Sequence, residues 1–213
     1  MLRSEVSITK IIGITGPTWA GKTTALNEVE KLGGAVIDCD AVYHEMLARD
    51  DALIQDIRST FPNSFTQGGL DRKKLGQEVF SDKERLTQLN RIVYQHLVPE
   101  IQRRVQSSVE LLVAVDAINL LDSGLDQLCD RTVAVTSPLE LRVRRIMARD
   151  GISEQYARLR VSAQKPDEYF RSKCSCELNN GADTAEAFQA EAKDFFHRLI
   201  DQIREEKQHG TEK

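Results

Sequence analysis

A nine-residue stretch near the start of the chain constrains the fold more than any other feature. Residues 16–24 read Gly-Pro-Thr-Trp-Ala-Gly-Lys-Thr-Thr, which fits the pattern Gly-x-x-x-x-Gly-Lys-Thr. A short run rich in β-branched residues, KIIGIT, precedes it, and apolar residues at helical spacing follow it. A glycine-rich turn between a buried strand and a helix is typical of a phosphate-binding loop, and it predicts an α/β fold.

The residue types of this loop suit a bound polyphosphate. Glycines let the backbone turn tightly and expose amide groups, and the helix N-terminus adds a favourable potential for an anion. Lys22 can bridge the β- and γ-phosphates of ATP and act in catalysis, and the Thr23 hydroxyl can bind Mg²⁺. We therefore expect ATP and Mg²⁺ as ligands. The expected nucleotide-binding residues of the loop are Gly16, Pro17, Thr18, Trp19, Ala20, Gly21, Lys22, Thr23 and Thr24.

Trp19 is an unusually bulky residue for such a loop, although it occupies a variable position. Its side chain can point outward if the backbone is ordinary, whereas a positive φ would strain it. We expect the indole to alter the packing around the loop, or the approach of the nucleotide, without abolishing binding. The alternative is that it only fills a surface groove. Pro17 removes one amide donor, yet the remaining amides can still surround a phosphate.

Further apolar stretches predict the rest of a parallel sheet. They lie at residues 35–37, 111–115, 132–136 and, more weakly, 176–178. A last long helix begins near residue 184 and carries an apolar stripe that we assign to core packing. The stripe consists of Phe188, Phe195, Leu199, Ile200 and Ile203. Short apolar runs alternating with amphipathic segments are typical of a three-layer α/β core with a parallel sheet.

The connection between the second and third strands is longer than a simple crossover needs. We interpret residues 41–110 as an inserted helical lobe that carries substrate contacts. Residues 139–165, rich in arginine, form a helical lid. The core then consists of residues 8–40, 111–138 and 174–205, within one P-loop domain spanning residues 1–213.

Three aspartates follow strands, at the edge of an open α/β sheet where ligands bind. Asp38 and Asp40 are two residues apart, so in an extended segment both carboxylates face the same way. One of them can accept a proton from an attacking hydroxyl. Asp38 has an alternative role as a helix N-cap. Asp116 lies where a carboxylate orders Mg²⁺ or its water, so we expect Asp116 and Thr23 at the metal.

Two arginines of the lid segment, Arg145 and Arg149, are spaced to share one helix face. From there they can supply positive charge to the nucleotide and to the transferred phosphoryl group, Arg145 in catalysis and Arg149 in nucleotide binding. Alternatively, they serve only solvation and i,i+4 pairing, as arginines on exposed helices often do. The spacing alone leaves both interpretations open.

The composition narrows the possible partners. The chain has 213 residues, of which 40% are hydrophobic and 29% charged, and its formal net charge is −4. This balance is typical of a globular protein and argues against a broad nucleic-acid surface. No apolar run reaches the ~18 residues of a membrane span, and the first residues do not resemble a signal peptide.

We therefore expect a cytoplasmic protein, either a monomer or a weak homo-oligomer. In that compartment its four cysteines are free thiols, and we do not expect them to bind a metal. These cysteines are Cys39, Cys129, Cys174 and Cys176.

Five stretches spread over most of the chain carry a more specific signal. They read IIGITGPTWAGKTTAL, LGGAVIDCDAV, GGLDRKKLGQEVFSD, LVAVDAINLLDSGL and VRRIMARDGISEQYARLRVSAQ. In this order they resemble the dephospho-coenzyme A kinase family. The phosphate loop alone also looks like that of thymidylate kinases, so the specificity lies in the ordered set.

The resemblance implies a fold like that of nucleoside monophosphate kinases, and transfer of the ATP γ-phosphoryl group to the ribose 3′-hydroxyl of dephospho-CoA. It implies that Asp40 is the base and that Arg145 and Arg149 belong to the lid on the ATP side. The chain departs from the family's usual His-Pro at Tyr94 and Gln95, although a tyrosine can also donate a hydrogen bond.

Two alternatives remain open. One is a P-loop kinase of another small substrate, such as a nucleoside monophosphate, and the departure at Tyr94 is what keeps this alternative open. The other is a nucleotide-binding regulator without turnover. The joint presence of Lys22, Thr23, Asp40 and Asp116 favours a catalyst, because binding alone needs no base.

Overall fold

The computed structural model describes residues 9–182 and 184–210. The chain divides into two compact units, one made of the residues up to Ile37 and those from Val105 onward, the other of Asp38–Arg104. The helices and strands are, in chain order, β1 (Lys10–Thr15), α1 (Lys22–Lys31), β2 (Ala35–Asp38), α2 (Cys39–Arg49), α3 (Asp51–Thr60), β3 (Phe65–Thr66), β4 (Gly69–Leu70), α4 (Arg72–Phe80), α5 (Lys83–Ser107), β5 (Leu112–Asp116), α6 (Leu120–Ser123), β6 (Arg131–Thr136), α7 (Leu139–Asp150), α8 (Glu154–Ser162), α9 (Asp167–Arg171), β7 (Cys176–Asn179) and α10 (Ala185–Gly210).

The first unit is built on a five-stranded sheet with the strand order β2-β5-β1-β6-β7. β1 runs parallel to both β5 and β6, and β6 runs parallel to β7. Every apolar stretch that the sequence marks as a strand forms one, so the predicted α/β fold with a parallel sheet is confirmed. Because parallel strands end at the same edge, the segments that follow β1, β5, β6 and β7 lie close together.

The core of this unit lies between the sheet and the pair α1 and α10, which pack on each other. Ile12 and Ile14 of β1 are fully buried there. Burying one such side chain stabilises the fold by roughly 1.5–3 kcal/mol. The expected stripe of α10 needs one correction: Phe196 is completely buried, whereas Phe195 is only partly so.

Helices α7 and α8, which lie in the segment predicted to be a lid, have a small core of their own, which we call the lid core. It consists of Val143, Ile146, Ala157 and Val161, with Met147, Ile152 and Trp19 packed against it. α7 ends at Gly151, whose φ of 63° is left-handed and whose amide donates to the Met147 carbonyl. A glycine in this conformation is a common helix stop, so the chain turns here and α8 begins after the N-cap Ser153.

The second unit is helical apart from the short β3–β4 hairpin. Its helices begin where aspartate carboxylates accept hydrogen bonds from first-turn amides. Asp38 caps α2, Asp50 caps α3, Asp71 caps α4, and Asp82 accepts from the amides of Glu84 and Arg85 at the start of α5. Such a cap stabilises a helix by roughly 1 kcal/mol.

In the described parts of the chain, no helix combines the length and the apolar character that crossing a bilayer requires. All four cysteines are free thiols. Burial raises the pKa of the Cys129 thiol to about 12, and burial also raises the pKa of Cys174. The reactive thiolate form is therefore suppressed at both positions. Residues 9–182 and 184–210 contain no cluster of three or more His, Cys, Asp or Glu side chains arranged to hold a metal.

Candidate active site

The phosphate loop connects β1 to α1, and two of its positions accept only glycine. Gly16 has a φ of 142°, and a Cβ there would lie 2.1 Å from the carbonyl oxygen of Val135. Gly21 has a φ of 106°, and a Cβ there would lie 2.4 Å from Nδ2 of Asn180. Both the backbone angle and the close neighbours exclude a side chain, so these two glycines fix the path of the loop.

The N-terminus of α1 faces the space enclosed by the loop. Within the described residues, no side chain caps this helix, and its first turn contains no acidic residue. Lys22 lies there, and its ammonium donates hydrogen bonds to the carbonyl oxygens of Gly16 at 2.9 Å and Pro17 at 3.3 Å. Amide groups, the positive end of the helix dipole and one ammonium thus lie together, an arrangement that attracts an anion.

A cavity of about 440 Å³ opens beside the loop. Among the residues that the structure describes, its charged lining consists of Lys22, Arg145 and Arg149 against the carboxylate of Asp116. The cavity is therefore positive, although the whole chain has a formal net charge of −4. The remaining lining residues are Thr18, Trp19, Gly21, Thr23, Thr24, Ile118, Asn180, Thr184, Ala185 and Phe188.

Three loop residues expected at the nucleotide do not line this cavity. The carbonyl groups of Gly16 and Pro17 accept from Lys22, so these residues hold its ammonium. Ala20 is fully buried, and its carbonyl accepts a hydrogen bond from Asn180.

Thr23 and Asp116, the two residues expected at the metal, both line this cavity, and a hydroxyl and a carboxylate oxygen suit a hard cation. Asp116 ends β5 and is paired in register with Ile14 of β1, one strand away from the start of the loop. Thr23 is exposed in the first turn of α1. One hydroxyl and one carboxylate leave room for phosphate oxygens and water, which is how Mg²⁺ is usually held beside a nucleotide.

Arg145 is held in place from three sides. Its guanidinium donates to the Ser137 hydroxyl at 3.0 Å, to the Asn180 side-chain carbonyl at 3.0 Å, and to the Trp19 carbonyl at 3.4 Å. Burial lowers the pKa of Arg145, yet an arginine stays charged at neutral pH. The fixed positive charge lies on the cavity wall.

Arg149 lies one helical turn further along α7 and rests on the indole of Trp19. Its Cζ atom is 4.3 Å from the ring centroid. Trp19 itself has a φ of 71°, the single positive φ among the non-glycine residues that the structure describes. Of the two conformations considered from the sequence, Trp19 therefore adopts the strained one, with a positive φ. The left-handed backbone costs roughly 1–2 kcal/mol, and packing against the lid core offsets it.

Other arginines of the lid fit the alternative interpretation, in which they serve pairing. Arg158 donates to Glu140 and, one turn away, to Glu154, while Arg160 pairs with Asp150. Arg142 is buried and pairs with Asp167 at 2.8 Å. The pairing interpretation therefore applies to these three arginines, whereas the role of Arg145 and Arg149 toward a nucleotide stays a prediction.

Two residues that sequence reasoning did not assign to the site connect its parts. Asn180 is buried after β7, and its side chain joins the Ala20 carbonyl to Arg145. The Gln164 side-chain oxygen accepts from the Thr18 amide at 2.9 Å and from Arg142 at 3.2 Å. The position of Asn180 directly after a strand was the signal that could have indicated it.

The aspartate pair after β2 differs from its expected geometry. α2 begins at Cys39, so Asp40 is in the first helical turn and the pair is not extended. Asp38 is the N-cap, accepting from the amides of Asp40 at 2.9 Å and Ala41 at 3.0 Å. The two carboxylates therefore do not share one face of an extended chain, because the capping interaction starts the helix immediately.

Together, the parallel sheet, the phosphate loop and the cation-lined cavity define a P-loop nucleotide-binding protein of the kinase type. The family model for dephospho-CoA kinase (CoaE) matches residues 10–186. This chain belongs to the dephospho-CoA kinase family.

Individual relatives agree with this assignment. A dephospho-CoA kinase of Thermus thermophilus is 35% identical over 174 residues, which cover 80% of this chain and 82% of that protein. A dephospho-CoA kinase of Enterococcus faecalis is 30% identical over 197 residues, which cover 91% of this chain and 98% of that protein. The solved structure of TT1252 from Thermus thermophilus is similar with a TM-score of 0.73 and 29% identity, covering 91% of this chain and 98% of that one.

Proposed function

We propose that this chain transfers the γ-phosphoryl group of ATP to the ribose 3′-hydroxyl of dephospho-CoA, which gives coenzyme A. The observation that carries the proposal is the cavity beside the phosphate loop, where three cationic side chains, a threonine hydroxyl and one carboxylate converge. Membership of the dephospho-CoA kinase family supports the choice of acceptor.

In this proposal, the phosphate tail of ATP binds along the loop and α1. Amides of the loop and the ammonium of Lys22 bind the β- and γ-phosphates, with Arg145 and Arg149 on the lid side. In the transition state, negative charge spreads over the transferred group, so fixed cations stabilise it more than they stabilise bound ATP. Lys22 and Arg145 are the proposed catalytic cations.

Thr23 and Asp116 would hold Mg²⁺ in the same cavity. Their oxygen atoms and the open space beside them fit a cation that keeps several waters and phosphate ligands. When bound, the metal neutralises charge on the β- and γ-phosphates.

Asp40, in the first turn of α2, is our candidate for the base. The ribose 3′-oxygen forms a bond to the γ-phosphorus, the bond to the β,γ-bridging oxygen breaks, and ADP leaves. The proton of the hydroxyl passes to the Asp40 carboxylate. We also propose a cytoplasmic location, to which the four free thiols are suited, and a monomer or weak homo-oligomer.

The acceptor is tested by measuring ADP release with dephospho-CoA beside dTMP and other nucleoside monophosphates. We expect kcat/KM to be highest for dephospho-CoA by orders of magnitude. A higher value for a nucleoside monophosphate would redirect the proposal to another P-loop kinase activity, with the change at Tyr94 and Gln95 as the first place to look. ADP release no faster than background with every acceptor would indicate a regulator.

The role of Asp40 has a matched control two residues away. Asp40→Asn should lower kcat by about 100-fold or more while leaving ATP affinity nearly unchanged. Asp38→Asn removes the same charge but keeps a good N-cap, so its turnover should stay near that of the parent. Equal turnover of Asp40→Asn and the parent protein would remove Asp40 from the role of base.

A further inference from the structure

The contacts of Trp19 go beyond those of a surface side chain. It belongs to the phosphate loop, yet its indole packs against the lid core of Val143, Ile146, Ala157 and Val161. Its left-handed backbone is an unfavourable conformation for a residue with a side chain. The surrounding structure therefore holds Trp19 in this conformation, and residues that persist in such conformations often have a functional role.

The indole also has a charged neighbour, the guanidinium of Arg149. The Arg149 guanidinium lies 4.3 Å from the centroid of the ring, within the range of a cation–π interaction. Few other groups contact the Arg149 side chain, which is 73% exposed. Its nearest carboxylate, Asp150, is 3.7 Å from Nε, and Asp150 makes a shorter contact of 2.5 Å with Arg160. The aromatic face is thus the main support for an otherwise solvated arginine.

The backbone of the same loop segment contacts the lid as well. The Trp19 carbonyl accepts from Arg145, and the Thr18 amide donates to Gln164 at the end of the lid. Residues 18 and 19 therefore contact both arginines of the cavity and the segment that follows α8. A substitution at residue 19 can therefore alter the positions of both Arg145 and Arg149.

We propose that Trp19 is a positioning residue whose indole holds the Arg149 guanidinium at the nucleotide cavity, ready for the phosphates of ATP. The proposal rests on ATP binding in the proposed function, but not on the identity of the acceptor. A flexible arginine in solvent must be ordered when the nucleotide binds, which weakens binding. An aromatic platform orders it beforehand and leaves the donor groups at its edge free to contact phosphate.

Two substitutions separate the aromatic face from mere packing. Trp19→Leu keeps an apolar side chain against the lid core but has no π face, whereas Trp19→Phe keeps a weaker one. All three side chains have a Cβ, so the strain of the positive φ is the same. We expect the Kd for Mg²⁺ and the non-hydrolysable analogue AMP-PNP, measured by calorimetry, to rise about 3- to 10-fold in Trp19→Leu and less in Trp19→Phe.

The decisive measurement is a double-mutant cycle with Arg149→Ala. In the parent protein this change should raise the Kd about 10-fold, and in the Trp19→Leu background it should raise it less than about 3-fold. An equal effect in both backgrounds, or no binding by the parent, would overturn the proposal. If Trp19→Leu does not fold, the same cycle is measured in the Trp19→Phe background. There we expect Arg149→Ala to raise the Kd by an intermediate factor, and a rise as large as in the parent protein would overturn the proposal.

The outcome is independent of turnover, because the analogue is not hydrolysed. Coupling between positions 19 and 149 without transfer to dephospho-CoA would leave this inference standing and refute the proposed function. Transfer to dephospho-CoA without such coupling would support the proposed function and refute this inference.

Discussion

At the scale of single residues, Lys22 supplies the positive charge of the phosphate loop. Its ammonium is oriented by the carbonyl groups of Gly16 and Pro17, at the N-terminus of α1. The charge is therefore placed by the backbone of the loop that would also bind the phosphate. We expect the removal of this side chain to take away the cation while the glycines keep the path of the loop.

Lys22→Ala should lower kcat/KM for ATP by about 100- to 1,000-fold, because a fixed cation facing the transferred group is lost. Its thermal unfolding temperature should stay within a few degrees of that of the parent. The control is Lys193→Ala, an exposed lysine on α10, for which we expect unchanged kinetics. Parent-like kinetics for Lys22→Ala would refute the assignment of the loop.

The glycines of the loop give a second prediction at this scale. Gly21→Ala combines a left-handed φ of 106° with a Cβ that would meet Asn180, so we expect it to lower the free energy of unfolding by about 2–4 kcal/mol. Gly33 also has a left-handed φ, of 80°, but no atom of the described residues lies within 4 Å of a Cβ built there. We therefore expect Gly33→Ala to lower the free energy of unfolding by only about 1 kcal/mol. Denaturant unfolding of both variants measures the difference, and equal losses would contradict the close approach of Asn180.

The sequence indicates the loop residues but not the conformation of every one of them. The glycine–lysine–threonine pattern is local, so it could be recognised without the fold. The positive φ of Trp19 depends on the lid core and on Arg149, which are far away in sequence. No local rule places a tryptophan in a left-handed turn, and this conformation became visible only in the structure.

At the scale of elements, the strands of the sheet and the last long helix, α10, follow from the spacing of apolar residues. β1, β5 and β6 are short and apolar and were predicted to within one residue at each end. The start of α2 was missed because an aspartate after a strand can extend the strand or cap a helix, and the capping hydrogen bonds decide the outcome. The same ambiguity led to the wrong geometry for the pair Asp38 and Asp40.

The long helix α5 carries an ion-pair network that predicts a pH dependence. Arg103 and Arg104 donate hydrogen bonds to Glu100 and lower the pKa of its carboxyl to about 2. The unfolded chain therefore takes up this proton at a higher pH than the folded one. The stability from Glu100 is fully present above about pH 4.5, its ordinary pKa, and is lost as the pH falls toward 2.

Glu100→Gln tests this effect. We expect the variant to be less stable than the parent by about 1 kcal/mol at pH 7, a value reduced for solvent screening, and the difference to vanish between pH 5 and pH 2. High salt should reduce it as well. Glu191→Gln, which removes an exposed charge on α10, is the control. A difference that does not change with pH would show that Glu100 contributes packing and no charge interaction.

At the scale of the whole molecule, the sequence predicts the parallel sheet and the family, but it does not predict the strand order. Parallel strands that alternate with helices leave few topologies, and the ordered motifs along the chain narrow the family to one, which is confirmed. The sequence predicts only some of the residues that form the cavity. Lys22, Arg145, Arg149 and Asp116 were expected there, but the buried Asn180 and the Gln164 contact depend on tertiary packing.

Single-turnover transfer from ATP labelled in its γ-phosphate, with dephospho-CoA as the acceptor, tests the account most directly. We predict that the label appears on the ribose 3′-oxygen of the product and that the amount of labelled product matches the amount of enzyme. Label that appears only in inorganic phosphate, or at another position of the acceptor, would contradict the account.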